Sequence, residues 1–557
     1  MNHATKLVAG VIALAFLTGA ATSDNKLSER QRAMHALNRL AFGPRPGEVD
    51  AVLKDGVNTW IEQQLHPEAM PDRAVEARVA ALPTMQLSNA DIIRTYYAPV
   101  LMARQKANAA AKAGDVDKKD MQRELMRDIP ADRRPQIVMN DLLAQRIVRA
   151  AESDRQLNEV MVDFWMNHFN VFAGKGIDRF LLTSFERDTI RPHIWGRFED
   201  LLMATAKSPA MLFYLDNARS VAAPENRPQM AAFNGGGRFG RRAMMRPPQQ
   251  NKQQGGLNEN YAREIMELHT LGVDAGYTQK DVTELARVLT GWTITGPRDG
   301  GEGAAFIFRP MLHDAAPKTV LGVRFPAGGG IAEGETMIRI LARHPATAHH
   351  IAYKLCQRLV ADDPPPALVD RVAKKFLATG GDLRETVRAV IDSPEFWDPR
   401  AYRSKVKSPF EYAISAVRAV NAQISDPLPI ARSLQQIGEP LYGAQPPTGY
   451  SDKADVWINT GALMNRLNFA LALASNKLPG VHDDVVSLIP AVQAADASHS
   501  VDALALALTG GNLTDETRTT IKSRIVERKA PTEDPWDNTQ LPTVAGLILG
   551  SPEFQRQ

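Results

Sequence analysis

Apolar residues recur three and four positions apart along most of this 557-residue chain, and that period decides the fold class before any other feature. In RQRAMHALNRLAFG, Met34, Leu37 and Leu40 keep helical spacing until Gly43-Pro44 ends the run. A second helix is expected from Pro46 and a long amphipathic one from near Pro135. Residues 104–135 are charged and Ala-rich, which suits an exposed helical pair rather than core. Strand signals are few. Phe306 and Phe308 alternate in AAFIFRP, and KTVLGVRF follows after a turn, so one small β-hairpin is expected near 304–325. The expected fold is mainly α, a large multi-helix assembly carrying that hairpin. Ser-Pro-Glu-Phe occurs twice, at 393–396 and 551–554, and reads as helix-start chemistry rather than a solenoid repeat.

Hydrophobic residues make up 44% of the chain and charged ones 23%, which excludes disorder, collagen and a multi-span membrane protein for the chain as a whole. Basic residues (66) nearly cancel acidic ones (63), so no global field steers the chain to nucleic acid. The first residues, MNHATKLVAGVIALAFLTGAATSDN, have a short positive start, an apolar run and a small-residue tail. Residues 1–23 therefore read as a secretory signal peptide, which implies a periplasmic or secreted protein with no transmembrane segment after cleavage. The lone Cys356 permits no internal disulfide and reads as a packed thiol. Three parts are expected: the signal, a main helical domain over 24–475 with a flexible Gly/Arg/Pro/Gln-rich insertion at 219–256, and a smaller C-terminal helical subdomain over 476–557.

Two helices place polar groups on apolar faces. In LNEVMVDFWMNHFNVF, Leu157, Met161, Phe164 and His168 share one stripe, so His168 projects inward as a core residue, a ligand or a base, while Asp163, Asn167 and Asn170 point elsewhere. Trp165 and Phe169 flank it as candidate walls of an aromatic pocket. In GLNENYAREIMELHTLGVDAGYT, Ala262, Ile265, Met266 and His269 form the apolar stripe, and Asn260, Glu264 and Glu267 lie on a neighbouring face. Carboxylates three residues apart can couple their titration, although Glu259, Arg263 and Glu267 also fit a salt-bridged surface. The order Glu264-x-x-Glu267-x-His269 does not fit the di-iron pattern. Trp292 and the adjacent pair His313-Asp314 complete the candidates. There is no HExxH, nucleophile elbow, Walker loop or dinucleotide fingerprint.

RAMHALNRLAFGPRPGEVDAV, FWMNHFNVF, ATAKSPAMLFYLDN, NENYAREIMELHTLGVDAGYT, LTGWT, HD, HPATAHHIAYKL and PPTGYSDKADVW occur in that order. Together they resemble the bacterial domain-of-unknown-function family 1800, over about residues 30–470. The resemblance implies an exported protein of the cell envelope or extracellular space. It also implies an association with an exported family similar to sulfatases and alkaline phosphatases. It implies no activity and no catalytic residues. The residues themselves suggest a hydrolase of an envelope or extracellular polymer, foremost a glycan. Glu259, Glu264 and Glu267 with Asp163 or Asp314 would supply the carboxyls, His168 and His269 would lie in the same cleft, and Trp165, Tyr261 and Trp292 would stack on sugars. A metal-assisted alternative gathers His168, His269 and His313 around one divalent ion. The other alternative is a non-catalytic envelope or adhesion scaffold.

Overall fold

The computed structural model describes residues 26–113, 117–228, 256–273, 275–296, 303–490, 497–526 and 538–557. Residues 1–23, read above as a signal peptide, and most of the expected insertion lie outside these residues. Mainly helical architecture is what the residues form. The elements that position the site are α1 (Glu29–Arg39), α2 (Gln136–Glu152), α3 (Gln156–His168), α4 (Glu259–Met266), α5 (Gln279–Val288), α6 (Pro345–Leu359), α7 (Pro409–Ala419), α8 (Thr460–Ala474) and α9 (Leu541–Leu549). Helix starts follow side-chain chemistry. Ser28, Thr278 and Ser408 each form a capping box, with Gln31, Asp281 and Glu411 closing it. His344 caps α6 by accepting the Ala346 N–H at 3.1 Å. The charged segment forms helices Ala98–Ala113 and Lys118–Arg127, and the second buries no residue. Among the described residues no helix is long and apolar enough to cross a membrane.

Three strands fall within the expected 304–325 region, but they pair differently, and a fourth, at 292–294, lies outside it. Trp292–Ile294 (β1) pairs antiparallel with Phe306–Phe308 (β2), whereas Lys318–Val320 (β3) and Val323–Phe325 (β4) fold back on each other. KTVLGVRF contains its own turn, Leu321-Gly322, both residues with positive φ, and therefore closes a hairpin by itself. A third pair, Gln423–Ile424 with Val481–His482, carried no alternation signal because each strand is two residues long. The Ser-Pro-Glu-Phe segments begin no helix. Ser393 and Ser551 do accept the Phe396 and Phe554 N–H groups at 3.2 and 3.3 Å, but each closes a single turn. The start of the expected insertion is tied down as well: Ser220 and Ala222 are buried, and Ala222 N–H donates to Leu312 O at 2.9 Å.

Apolar packing divides into two main cores. One runs from Ala33 to Phe396 and includes Leu157, Met161, Trp165 and Met266. The other is built on α7, α8 and α9 and starts at Phe410, upstream of residue 476. It takes in Phe42, Ile147 and Val160 from the N-terminal part, with Phe42 5.3 Å from Phe410 between ring centroids. Residues 405–407 pair with 555–557, Lys407 N–H donating to Gln555 O at 2.9 Å. The two cores meet along α3, and the site lies on their seam.

Candidate functional site

On α3, Leu157, Met161, Phe164 and Trp165 are 3% exposed or less, so the predicted stripe is core. His168 lies at its end, and the α4 segment comes to it: the His168 and His269 ring centroids are 6.3 Å apart. His350, on α6, is a third imidazole, 6.1 Å from His168. These groups meet in packed interior rather than a wet cavity. His168 and His269 are 6% and 2% exposed, and Phe169 packs against both rings. The His168 ring bonds His269 O and the His350 ring bonds Leu268 O, both at 3.2 Å. Burial holds His269 down to about 3 and His350 to about 4, and pushes His168 well below the ordinary imidazole value. They are neutral structural imidazoles. The helix opens a wider turn over Glu267–Leu271, where Thr270 Oγ1 donates to Ile265 O at 2.7 Å, and this keeps His269 inward.

The neighbouring acids face other ways. Glu259 accepts from Gln279 and Thr283 at 2.7 and 2.8 Å, and Arg263 donates to Gln279 at 2.6 Å, which ties α4 to α5 at the surface. Glu267 accepts from Tyr277 at 2.6 Å, and Asn260 is exposed. Glu264 is half-buried and its carboxyl is raised, by burial first and then by Glu267. Three aromatic expectations are corrected. Trp165, Tyr261 and Trp292 are fully buried, so none can stack on a sugar. Tyr261 spends its hydroxyl on Ala206 O at 2.5 Å, and Gly334 packs so closely on the Trp292 ring that an added Cβ would come within 2.5 Å. His313 and Asp314 are buried too, not at a rim. Asp314 accepts two bonds from Arg287 at 2.9 and 3.0 Å, and His313 Nε2 stands 3.4 Å from Glu333. His313 therefore joins a Lys318–Glu333 cluster and not His168 and His269. Among the described residues no three His, Cys, Asp or Glu side chains are arranged to hold a metal ion.

The open cleft lies on the other face of α3. Its cavity volume is about 60 Å³, and Asp163, Asn167 and Asn170 line it together with Arg146, Arg358, Lys405, Glu411, Glu439, Tyr442, Tyr450 and Trp457. Asp163 bridges Arg146 at 2.8 Å and Arg358 at 3.1 Å, and Arg358 also pairs with Glu411 at 2.7 Å. Burial opposes ionisation of Glu411, but Arg358 and its hydrogen bonds hold it below the usual carboxylate value. Glu439 forms no ion pair among the described residues. Burial first, then the charge of Asp163, pushes it up to about 8, against the Phe410 N–H that donates to it at 2.8 Å. Glu439 and Glu411 are thus held in different protonation states in one cleft, the first kept protonated by burial and the second ionised beside Arg358. The far wall is fixed by Asn167, whose amide donates to Tyr450 O at 2.8 Å and accepts the Tyr450 N–H at 2.7 Å. Asn170 donates to Ala444 O and Pro446 O at 3.0 and 2.9 Å. The Tyr450 and Trp457 rings lie 5.9 Å apart.

Gly449 makes that closure feasible. Its φ is +71°, and a Cβ there would stand 2.5 Å from Asn167 O. Gly449→Ala is expected to cost about 2 kcal/mol or more and to detach the 449–450 backbone from Asn167. Chemical denaturation measures it, and an unchanged midpoint would show that the contact does not hold the wall.

Sequence reasoning did not single out Arg146, Arg358, Lys405, Glu411 or Glu439. The available signal was the polar row Asp163, Asn167 and Asn170 at spacings of four and three on an otherwise apolar helix. No curated protein and no solved structure shows a match to the chain. The family profile described as "Protein of unknown function (DUF1800)" matches residues 35–556, past the 470 reached by the motifs, and the chain belongs to that family.

Proposed function

We propose that the protein is an exported hydrolase of an envelope or extracellular polymer, with a glycan as substrate class, and that Glu439 and Asp163 carry its acid-base chemistry. The observation that supports this most is a protonated Glu439 in the same cleft as the ion-paired Asp163. Glu439 retains its proton at neutral pH and can give it to a leaving oxygen, while Asp163 lies in the same cleft between Arg146 and Arg358. The half-buried Tyr450 ring offers the cleft an aromatic face of the kind sugar rings use. Export is supported by the signal-like first 23 residues. A panel of cell-wall and extracellular polysaccharides tests the reading, with Glu439→Gln and Asp163→Asn as probes. Each is expected to reduce cleavage by about 10²-fold or more while the protein stays folded. A folded protein inert on every polymer would instead favour the scaffold reading, in which the buried ion pairs serve only to join helices.

A further inference from the structure

A second cavity, of about 290 Å³, opens between residues 76–86, α2 and residues 186–191, and it shares no lining residue with the cleft. Local chemistry builds it. Thr84, fully buried, donates its N–H and its hydroxyl to Asp141 of α2, both at 2.9 Å, which pins the turn after the helix Arg73–Ala80. Val79 and Met85 pack with Val75 and Val148 and give the cavity an apolar side. Gln145 and Glu186, each 1% exposed, form its buried end, while exposed Ala80, exposed Gln86 and the half-exposed Glu76 form its open end. The charged groups already have partners. Arg149 donates to the two Glu76 oxygens at 2.9 and 3.0 Å, Arg187 to those of Asp188 at 2.7 and 2.6 Å, and Arg191 to Glu186 and Glu159. None of these guanidiniums is left for an anion. The unused polar groups are neutral amides. Gln145 donates to Glu186 at 2.9 Å, but its Oε1 forms no hydrogen bond among the described residues, and neither does the Gln86 amide.

We infer that this cavity binds a neutral polyhydroxylated molecule of the size of one hexose. A hydroxyl both donates and accepts, so it can serve the Gln145 oxygen, the Gln86 amide and the remaining lone pairs of Glu76 without adding charge. A ligand with net charge would have to break one of the Arg–carboxylate pairs first. The C–H face of a sugar ring suits the apolar side made by Val79 and Met85. At ~30 Å³ per water the space equals about ten waters, room for one pyranose ring with its hydroxyls and its nearest waters. A free monosaccharide and the terminal unit of a longer chain present this same chemistry. No residue here belongs to the acid-base cleft, so the inference stands whether or not that cleft cleaves glycans.

Ligand-observed NMR titration of the full-length protein with D-glucose, D-galactose and N-acetylglucosamine provides the test. At least one of them is expected to bind with a Kd of roughly 1 mM, and the charged analogues glucuronate and glucosamine about tenfold more weakly. Maltose and cellobiose distinguish the sources: binding of the monosaccharide alone assigns a free sugar, and binding of both assigns a chain end. Ala80→Trp closes the open end from an exposed position, and Gln145→Met removes the free amide oxygen at the buried end. Each is expected to raise Kd about tenfold or more, with circular dichroism and the melting temperature confirming the fold. Glu439→Gln, in the cleft, should leave this Kd unchanged, which separates the cavity from a sugar held there. No binding of any neutral sugar to the folded wild type at about 50 mM would overturn the inference, as would an unchanged Kd in folded Ala80→Trp or tighter binding of the charged analogues.

Discussion

Glu439→Gln is expected to make the protein more stable at neutral pH and, on the proposed function, to remove turnover in the cleft. The unfolded chain releases the Glu439 proton near 4.5, whereas the folded chain holds it to about 8. Between those pH values the folded state binds more protons, so the contribution of this group falls as pH rises. The neutral amide has the same shape, can still accept the Phe410 N–H, and carries no such dependence. At pH 7 the gain is at most roughly 3 kcal/mol, from about 2.5 pH units at ~1.4 kcal/mol each. Urea denaturation of both proteins from pH 4.5 to 8 should show the advantage growing from near zero. A constant difference across that range would mean that Glu439 is not held protonated by the fold. Gain of stability together with loss of turnover would mark Glu439 as a functional group held at a cost to the fold.

The largest loss is expected from Arg191→Met. Arg191 donates to both oxygens of Glu159 at 2.8 and 2.9 Å and to Glu186 at 2.6 Å, and all three side chains are mostly buried. Removing it leaves two carboxylates buried together, a change that costs about 3–5 kcal/mol in comparable sites. The pH dependence has a definite sign. Burial opposes ionisation of Glu186, but Arg191 and Arg146 outweigh it and hold the carboxyl down to about 2. In the wild type this stabilisation is complete above about 4.5 and is lost as pH falls towards 2. In the variant the carboxyls can take up protons at higher pH, so its deficit should shrink on acidification. Denaturation midpoints at pH 7 and pH 4.5 measure this, and a deficit that grows at the lower pH would contradict it. Glu186 also accepts from Tyr442 at 2.5 Å, so the variant should loosen one wall of the cleft.

The parts of this fold that were legible in the sequence are those where local chemistry settles the outcome. The stripe of Leu157, Met161 and Phe164 becomes core, and Thr278 with Asp281 becomes a capping box. His168 and His269 were correctly turned inward, and their rings do meet. Periodicity reports which side chains are buried together, however, and cannot tell a dry interior from the floor of a pocket. The same limit explains Trp165, Tyr261 and Trp292, whose large rings serve a sugar platform and a core equally well until packing is known. Glu439 was illegible for another reason. Its proton is held by burial and by Asp163, 276 positions earlier in the chain, and no local window contains that pair. Asp163, Asn167 and Asn170 did show a polar row, and the cleft lies on that side of the helix.

The sharing of Phe42 between distant parts of the chain has a consequence for biogenesis. The layer on which it rests is finished only when α9 and Phe554 arrive, more than five hundred positions later. During synthesis from the N-terminal end, the Phe410 surface therefore waits without its final cover. Such closure over long sequence separation is slow and leaves apolar surface open to wrong partners in the meantime. Cells making this protein in quantity would need to shield that surface until the last segment docks, and recombinant yield should depend on holding chaperones more than on the stability of the finished molecule.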